Sequence, residues 1–294
     1  MTRLLDRATA LLDKAQLPQG AFSHEPSGLH LLRHAAETPQ TATIYRPLLC
    51  LVLQGAKQVS TGARNLTVAQ GQSLVVSHAL PVASRITAAT GETPYVALVM
   101  PLDLDLLRGL APMVPPLRAT RLQDPFSITL CPTAGEMEDA LVRLIDQSEV
   151  EDTRQMLAPI TRQELHARLL LGPHAEALQR LLWHETTASR IFRATREIQS
   201  DLSRPLVVGE LANQIGMSPS AFFEHFKAIT GTSPLQYQKD LRLLQARDAL
   251  HSSNAKVSDI AFRVGYESLA QFSREYARKF GSSPRQDRNA LAAV

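Results

Sequence analysis

Cysteine is nearly absent from this 294-residue chain: only Cys50 and Cys131 occur, far apart and in no CxxC pair. That excludes a disulfide scaffold and a thiolate zinc knuckle, and it suits a reducing compartment. Long apolar runs are missing too, and nothing approaches the roughly 18 residues of a membrane span. The opening MTRLLDRATALLDKAQLPQG reads as an amphipathic helix stopped at Pro18 and Gly20. Asp6 and Asp13 deny it the apolar core of a signal peptide, so the expected location is cytoplasmic, with no membrane partner. No glycine-rich phosphate loop and no nucleophile elbow is present, which removes the commonest nucleotide and hydrolase chemistries.

An excess of one charge is also lacking, since 31 Lys+Arg stand against 28 Asp+Glu for a net +3. The distribution is uneven, however. From Arg190 onward 15 basic and 10 acidic residues leave +5, whereas residues 1–189 carry −2. A basic C-terminal part points toward a polyanion.

At this length two domains are expected. From Leu48 to Leu102 the apolar residues come in strand-length blocks, LLCLVLQG (48–55), SLVVS (73–77) and PYVALVMP (94–101). Glycines at 55, 62, 71 and 91 punctuate them, as a small antiparallel barrel or sandwich requires. Past Leu102 the period becomes helical. Met137, Leu141, Leu144 and Ile145 recur on one face of AGEMEDALVRLIDQ, a helix that offers itself for dimer pairing or for packing on its own barrel. LAPITRQELHARLLLG (157–172) and HAEALQRLLWH (174–184) continue the pattern. The expected division is an N-terminal domain over 1–186, with a barrel over about 21–131 and helices over about 134–184, then an all-α domain over 187–288 and a tail over 289–294.

The all-α part repeats itself. LANQIGM (211–217) matches IAFRVGY (260–266), pairing Leu211 with Ile260, Ala212 with Ala261, Ile215 with Val264 and Gly216 with Gly265. One residue later in register, Phe222 pairs with Phe272, Phe226 with Tyr276, and GTSP (231–234) with GSSP (281–284). Each copy reads as helix, glycine turn, helix, with Ser218 or Ser268 as the cap of the second helix. That is the grammar of a helix-turn-helix, whose second helix enters a major groove. Between the copies, PLQYQKDLRLLQARDALHSS (234–253) is long enough to be a rigid connecting helix.

These two segments resemble the AraC/XylS family of bacterial transcription regulators. The likeness is strongest in VSDIAFRVGYESLAQFSREYARKFGSSP (257–284) and in LVVGELANQIGMSPSAFFEHFKAITGTSPLQYQKDLRLLQAR (206–247). It extends to PLLCLVLQGAKQV and GQSLVVSHALPV, which are similar to the N-terminal barrel of one AraC subgroup. The resemblance implies an α+β chain: a cupin-like barrel with a helical extension, then two helix-turn-helix motifs joined by a linker helix. It implies a non-enzymatic, sequence-specific regulator whose barrel binds a small effector. Promoter DNA, RNA polymerase and a second copy of the chain are the implied partners, with no cofactor. Ala277 and Asp287 depart from the usual lysine and tyrosine. The alternative is a barrel-type enzyme or an alkyl-accepting repair protein carrying a similar module, and the latter calls for a cysteine cluster that is not here.

With Phe222 and Phe226 facing the core, Ser220, Ala221, Phe223 and Glu224 fall on the groove side. The resemblance places base contacts at Ser220, Ala221 and Glu224, and the matching set in the second copy is Leu269, Ala270, Gln271 and Arg274. Glu224 suits cytosine N4, Phe223 a thymine methyl, Gln271 an adenine and Arg274 a guanine. Lys227, Arg278 and Arg285 are expected on the DNA backbone. In the front domain, Cys50 and His78 are the candidate effector residues. Cys50 reads either as an inert core thiol or as a sensor of an aldehyde or oxidant, for which Arg46 is the cation nearest in sequence. His24, His30, His34 and His78 form no paired metal motif, so no metal is expected.

Overall fold

The computed structural model describes residues 1–62, 64–115, 126–182 and 186–291. Ten strands build two antiparallel sheets. They are β1 (Gly20–His24), β2 (Leu29–His34), β3 (Thr41–Tyr45), β4 (Leu48–Gln54), β5 (Ala56–Thr61), β6 (Arg64–Ala69), β7 (Gln72–Val76), β8 (Leu80–Ala88), β9 (Tyr95–Pro101) and β10 (Ile128–Pro132). One sheet runs β1-β2-β9-β4-β7-β10 and the other β3-β8-β5-β6. The central strands β9, β4 and β7 of the six-stranded sheet are covered on both faces, which is why they read as continuous apolar runs. Along β4, Leu49, Leu51 and Leu53 point to a helical layer, while Cys50 and Val52 point into the space between the sheets. In β5 only alternate residues, Lys57, Val59 and Thr61, turn inward, because the opposite face meets solvent.

The helical layer comprises α1 (Thr2–Lys14), α2 (Leu104–Leu110), α3 (Gly135–Ser148), α4 (Glu151–Met156), α5 (Ala158–Leu171) and α6 (Ala175–Leu182). Leu4, Ala8, Leu11 and Leu12 of α1 join Met137, Leu141, Leu144 and Ile145 of α3 and Leu165 and Leu169 of α5 over the outer sheet face. The apolar stripe of α3 is thus buried against α1 and α5 of the same chain. The helix read over 174–184 corresponds to α6, and its last two residues, Trp183 and His184, lie outside the described residues, as do 292–294 of the tail.

The remaining helices are α7 (Thr187–Ser200), α8 (Val208–Gln214), α9 (Pro219–Thr230), α10 (Pro234–Ser252), α11 (Val257–Arg263), α12 (Leu269–Phe280) and α13 (Pro284–Leu291). The GTSP and GSSP segments perform the same three tasks twice. Gly231 and Gly281 end α9 and α12 at φ 80° and 79°, a region costly for residues with a Cβ. Ser233 and Ser283 then accept the Gln236 and Gln286 amides at 3.3 Å, each cap stabilising by about 1 kcal/mol. Pro234 and Pro284 occupy the first helical position, where a missing N–H leaves nothing unpaired.

Candidate nucleic-acid interface

Each copy buries one aromatic stripe and exposes the opposite face. In α9, Phe222, Phe226 and Ile229 are sealed against α7 and α10, with Phe226 edge-on to Tyr237 at 5.3 Å. Burying a phenylalanine stabilises by roughly 1.5–3 kcal/mol, so this stripe fixes the helix rotation. It leaves Ser220, Phe223, Glu224 and Lys227 in solvent and Ala221 half-buried. In α12, Phe272 and Tyr276 are buried while Leu269, Ala270, Gln271, Arg274 and Arg278 are exposed. Arg285, at the start of α13, is exposed as well. The expected reading residues therefore gather on the open faces of two helices. Phe223 is 46% and Leu269 40% exposed, large apolar surface to leave in water on these small helices. Gln271 is not wholly free, since its side-chain amide donates to Glu275 Oε1 at 3.3 Å.

The turns are held by a pair of arginines that sequence comparison of the two copies passed over. Arg190 of α7 donates to the Gly216 carbonyl at 3.2 Å. Arg242 of α10 donates to the Gly265 carbonyl at 3.0 Å and reaches Leu202, Ser203 and Arg204 carbonyls at 2.7–3.3 Å. The repeat is thus three helices long, α7–α8–α9 and α10–α11–α12, with an arginine of the first helix clasping the glycine turn in each. Gly265 (φ 89°) admits no side chain, because a Cβ would stand 2.6 Å from the Ser203 carbonyl oxygen. Burial lowers the Arg242 guanidinium from its ordinary range, and nearby Tyr266, Asp201, Glu267 and Glu275 oppose that shift. Lys239–Glu275 (3.0 Å) and Lys279–Asp240 (2.5 Å) add ion pairs between α10 and α12. Asp287, where the family often has tyrosine, accepts from Tyr276 Oη at 2.6 Å and Arg247 Nε at 3.1 Å, and so ties α13 to α12 and α10.

The sandwich grips the reading helix of the first copy and the connecting helix α10. A helix ends with carbonyls that lack intrahelical partners. At the end of α9 those partners come from the sandwich: Ser127 donates to the Ile229 carbonyl from its amide (3.0 Å) and its hydroxyl (2.7 Å), and Thr61 Oγ1 donates to the Thr230 carbonyl at 3.3 Å. Gly62 (φ 54°) lies so near Gly231 that a Cβ on it would stand 1.9 Å from the Gly231 oxygen. Tyr237 Oη of α10 donates to the Ala79 carbonyl at 2.6 Å and accepts from Gln199 of α7 at 2.8 Å. One continuous core joins Val76, Leu80, Phe126 and Ile128 to Ile191, Phe222, Phe226 and Tyr237, whereas α11 and α12 pack on α10 in a separate core.

His78 sits in this seam, fully buried. Its Nε2 meets the Ala188 carbonyl at 3.0 Å, and a carbonyl only accepts, so Nε2 carries the proton. Nδ1 is then the acceptor for the Ser77 hydroxyl (2.9 Å), since the Ser127 proton goes to the Ile229 carbonyl, and Phe192 stands edge-on at 5.7 Å. Burial lowers the ring to a pKa of about 4, which leaves it neutral. Beside it a cleft of about 170 Å³ opens between the sandwich and α7, lined by Arg46, Pro47, Leu104, Phe192, Arg196 and Gln199 among others. His30 and His34 lie on β2 and His24 on β1, and no cluster able to hold a metal occurs among the described residues. Cys50 is buried inside the sandwich, and the cation beside it is Lys57 rather than Arg46.

Residues 26–177 match the family model described as the AraC-type transcriptional regulator N-terminus, and residues 211–290 match a helix-turn-helix domain model. The transcriptional activator RhaS of Escherichia coli is 30% identical over 157 residues, 49% of this chain. The chain thereby spans 56% of that relative's length. Among solved structures, wild-type ToxT from Vibrio cholerae bound to an unsaturated fatty acid superimposes with a TM-score of 0.56 at 10% identity, over 90% of this chain and 96% of that one. A second ToxT structure from Vibrio cholerae gives 0.55 at 10% identity, over 90% and 98%. At such identity the two ToxT structures speak for the fold. With a family model covering more than half of its length, the chain belongs to the AraC-type transcriptional regulators.

Proposed function

We propose that this protein is a sequence-specific transcriptional regulator in which two helix-turn-helix units of one chain read neighbouring major grooves of promoter DNA, under control of a small molecule sensed by the N-terminal domain. The observation that carries it is the doubled reading face. Two helices of equal length, capped alike and clasped alike, each bury aromatics on one side and leave polar and apolar base-contacting side chains bare on the other. Ser220, Ala221, Phe223, Glu224, Leu269, Ala270, Gln271 and Arg274 are the base readers in this account. Lys227, Arg278 and Arg285 hold phosphates. The connecting α10 has 19 residues. At 1.5 Å each it spans roughly 28 Å, comparable with the ~34 Å between like-facing grooves.

The sensor reading is supported by the way the sandwich caps α9. Any ligand that shifts Ser127 or Thr61 alters the end of a reading helix directly, and one that shifts Ala79 acts on α10 through Tyr237. The interdomain cleft is the proposed effector site, because Arg46 and Arg196 line it with no ion-pair partner among the described residues, over an apolar floor of Phe192, Pro47 and Leu104. An anionic molecule with an apolar body fits that lining, and the fatty acid bound by ToxT is a ligand of this kind. His78 lies behind Phe192, its ring edge-on to that lining residue. Binding-site selection with the full chain, followed by titration of medium-chain carboxylic acids against thermal stability, tests both halves. Selection of a defined sequence and a rise in Tm lost in Arg46→Ala support the proposal. Binding to random DNA with equal affinity would remove it.

A further inference from the structure

Inside the sandwich, Lys57 is 8% exposed and has no carboxylate partner among the described residues. Its ammonium instead donates to Cys50 Sγ at 3.1 Å and to Tyr45 Oη at 3.3 Å. An isolated buried ammonium is strongly disfavoured unless an anion accompanies it. The titratable groups that face it are Cys50 on β4, Tyr95 on β9 and Tyr45 at the end of β3. Burial pulls the Lys57 ammonium down, and these three groups raise it by more, so it stays a cation. The phenol of Tyr95 is sealed at 1% exposure, and burial above all holds it protonated. Of the three, the thiol is the natural anion. The cluster is also incomplete. Tyr95 Oη has no hydrogen-bond partner, although it is buried within the field of Lys57 and Cys50.

We infer that Cys50 and Lys57 form a thiolate–ammonium pair and that Cys50 is a site of oxidation by hydroperoxides to a stable sulfenic acid. The interior is packed, so the electrophile must be small, and hydrogen peroxide has two heavy atoms. The Cys50 sulfur lone pair forms the S–O bond as the O–O bond breaks. The departing hydroxide takes a proton from the Lys57 ammonium and leaves as water, with the thiolate oxidised by two electrons and the peroxide reduced by two. The products are Cys50 sulfenic acid, neutral Lys57 and one water. Proton return to Lys57 gives a sulfenate whose oxygen accepts from Lys57 and from the Tyr95 hydroxyl, the donor that the reduced protein leaves unused. Cys131 cannot convert the product to an intramolecular disulfide. Its strand neighbour is Ser73, opposite Leu51, and its Sγ turns toward the Pro173 carbonyl on the helical side, away from Cys50 across the sheet.

Cys131 is also the internal control. It is more exposed than Cys50, has no cation hydrogen-bonded to it among the described residues, and burial pushes its thiol up. The test is to expose the reduced, full-length protein to hydrogen peroxide, quench it by unfolding in dimedone, and count adducts on the two cysteine peptides by mass spectrometry. The expected result is an adduct on Cys50 at least about tenfold in excess of Cys131, at a rate that is flat between roughly pH 6 and 8 while the Cys131 rate climbs about tenfold per unit. Lys57→Met is expected to lower the Cys50 rate about tenfold and leave Cys131 unchanged. Tyr95→Phe deletes an unpartnered hydroxyl, so the fold persists and Cys50 is oxidised as fast, but its adduct yield decays sooner when dimedone is delayed. Modification of Cys131 with Cys50 intact, parallel pH profiles, or an unchanged Cys50 rate in folded Lys57→Met overturns the inference. If Lys57→Met does not fold, the wild-type site ratio and pH profile decide.

Discussion

Single side chains on the reading faces differ in what their loss should do. Arg274 is exposed on α12 with no partner of its own, and a bidentate contact to guanine would give it a base to discriminate. Arg274→Ala is expected to cost about 1–3 kcal/mol on the selected site and to relax preference at one base pair. Lys227, proposed to hold a phosphate, should behave differently: Lys227→Ala is expected to weaken selected and random DNA alike and to reduce the salt slope by about one. Titrations of both duplexes at several salt concentrations separate the two roles. At the same scale, His78 and His174 are held neutral with pKa values of about 4, against 6.5 for an ordinary histidine, chiefly by burial. The folded values are depressed, so the unfolded chain binds more protons between them. The stabilisation is therefore complete above pH 6.5 and is lost as the pH falls toward 4, by up to about 3 kcal/mol for each ring. Thermal melts from neutral pH downward should show this acid limb, and His78→Gln should flatten it.

Among the elements, α9 and α10 carry the coupling. Arg242 binds four carbonyls that belong to the turn of the second copy and the loop entering the first. Removing it leaves those acceptors unpaired, and Arg242→Met is expected to destabilise by about 1.5–3 kcal/mol, a loss readable in denaturant unfolding. Gly62→Ala forces the sandwich away from the cap of α9. Amide exchange at Ile229–Gly231 should accelerate in that variant while exchange in α11 and α12 stays as it was. The caps, the glycine turns and the buried aromatic stripes were legible in the sequence because each is a local requirement of helix geometry, repeated at matching register. Strands β1 to β3 were less so, being short and half-exposed with no continuous apolar run. Arg190 and Arg242 were hidden because a surface arginine and a carbonyl-binding arginine look alike in sequence. Lys57 did leave a trace, since it alternates in phase with Val59 and Thr61 and so had to face inward. Arg46, nearer to Cys50 along the chain, points elsewhere, for sequence proximity says nothing about the neighbouring strand.

Over the whole molecule, the two halves are joined asymmetrically. The first reading unit shares a core with the sandwich, whereas α11 and α12 pack on α10 in a separate core, with the Gly265 turn also lying against Ser203 of the first copy. In the proposed mechanism a sensor event therefore acts on the first reader by direct contact and on the second through α10 and the loop at Ser203. The central claim is that both readers of one chain engage one face of a duplex together, and hydroxyl-radical footprinting on a selected site tests it most directly. Two protected patches centred roughly 10 base pairs apart on the same face are predicted, with Arg274→Ala clearing contacts in one patch and Glu224→Ala altering only the other. A single patch that persists unchanged when α12 is substituted would contradict the account.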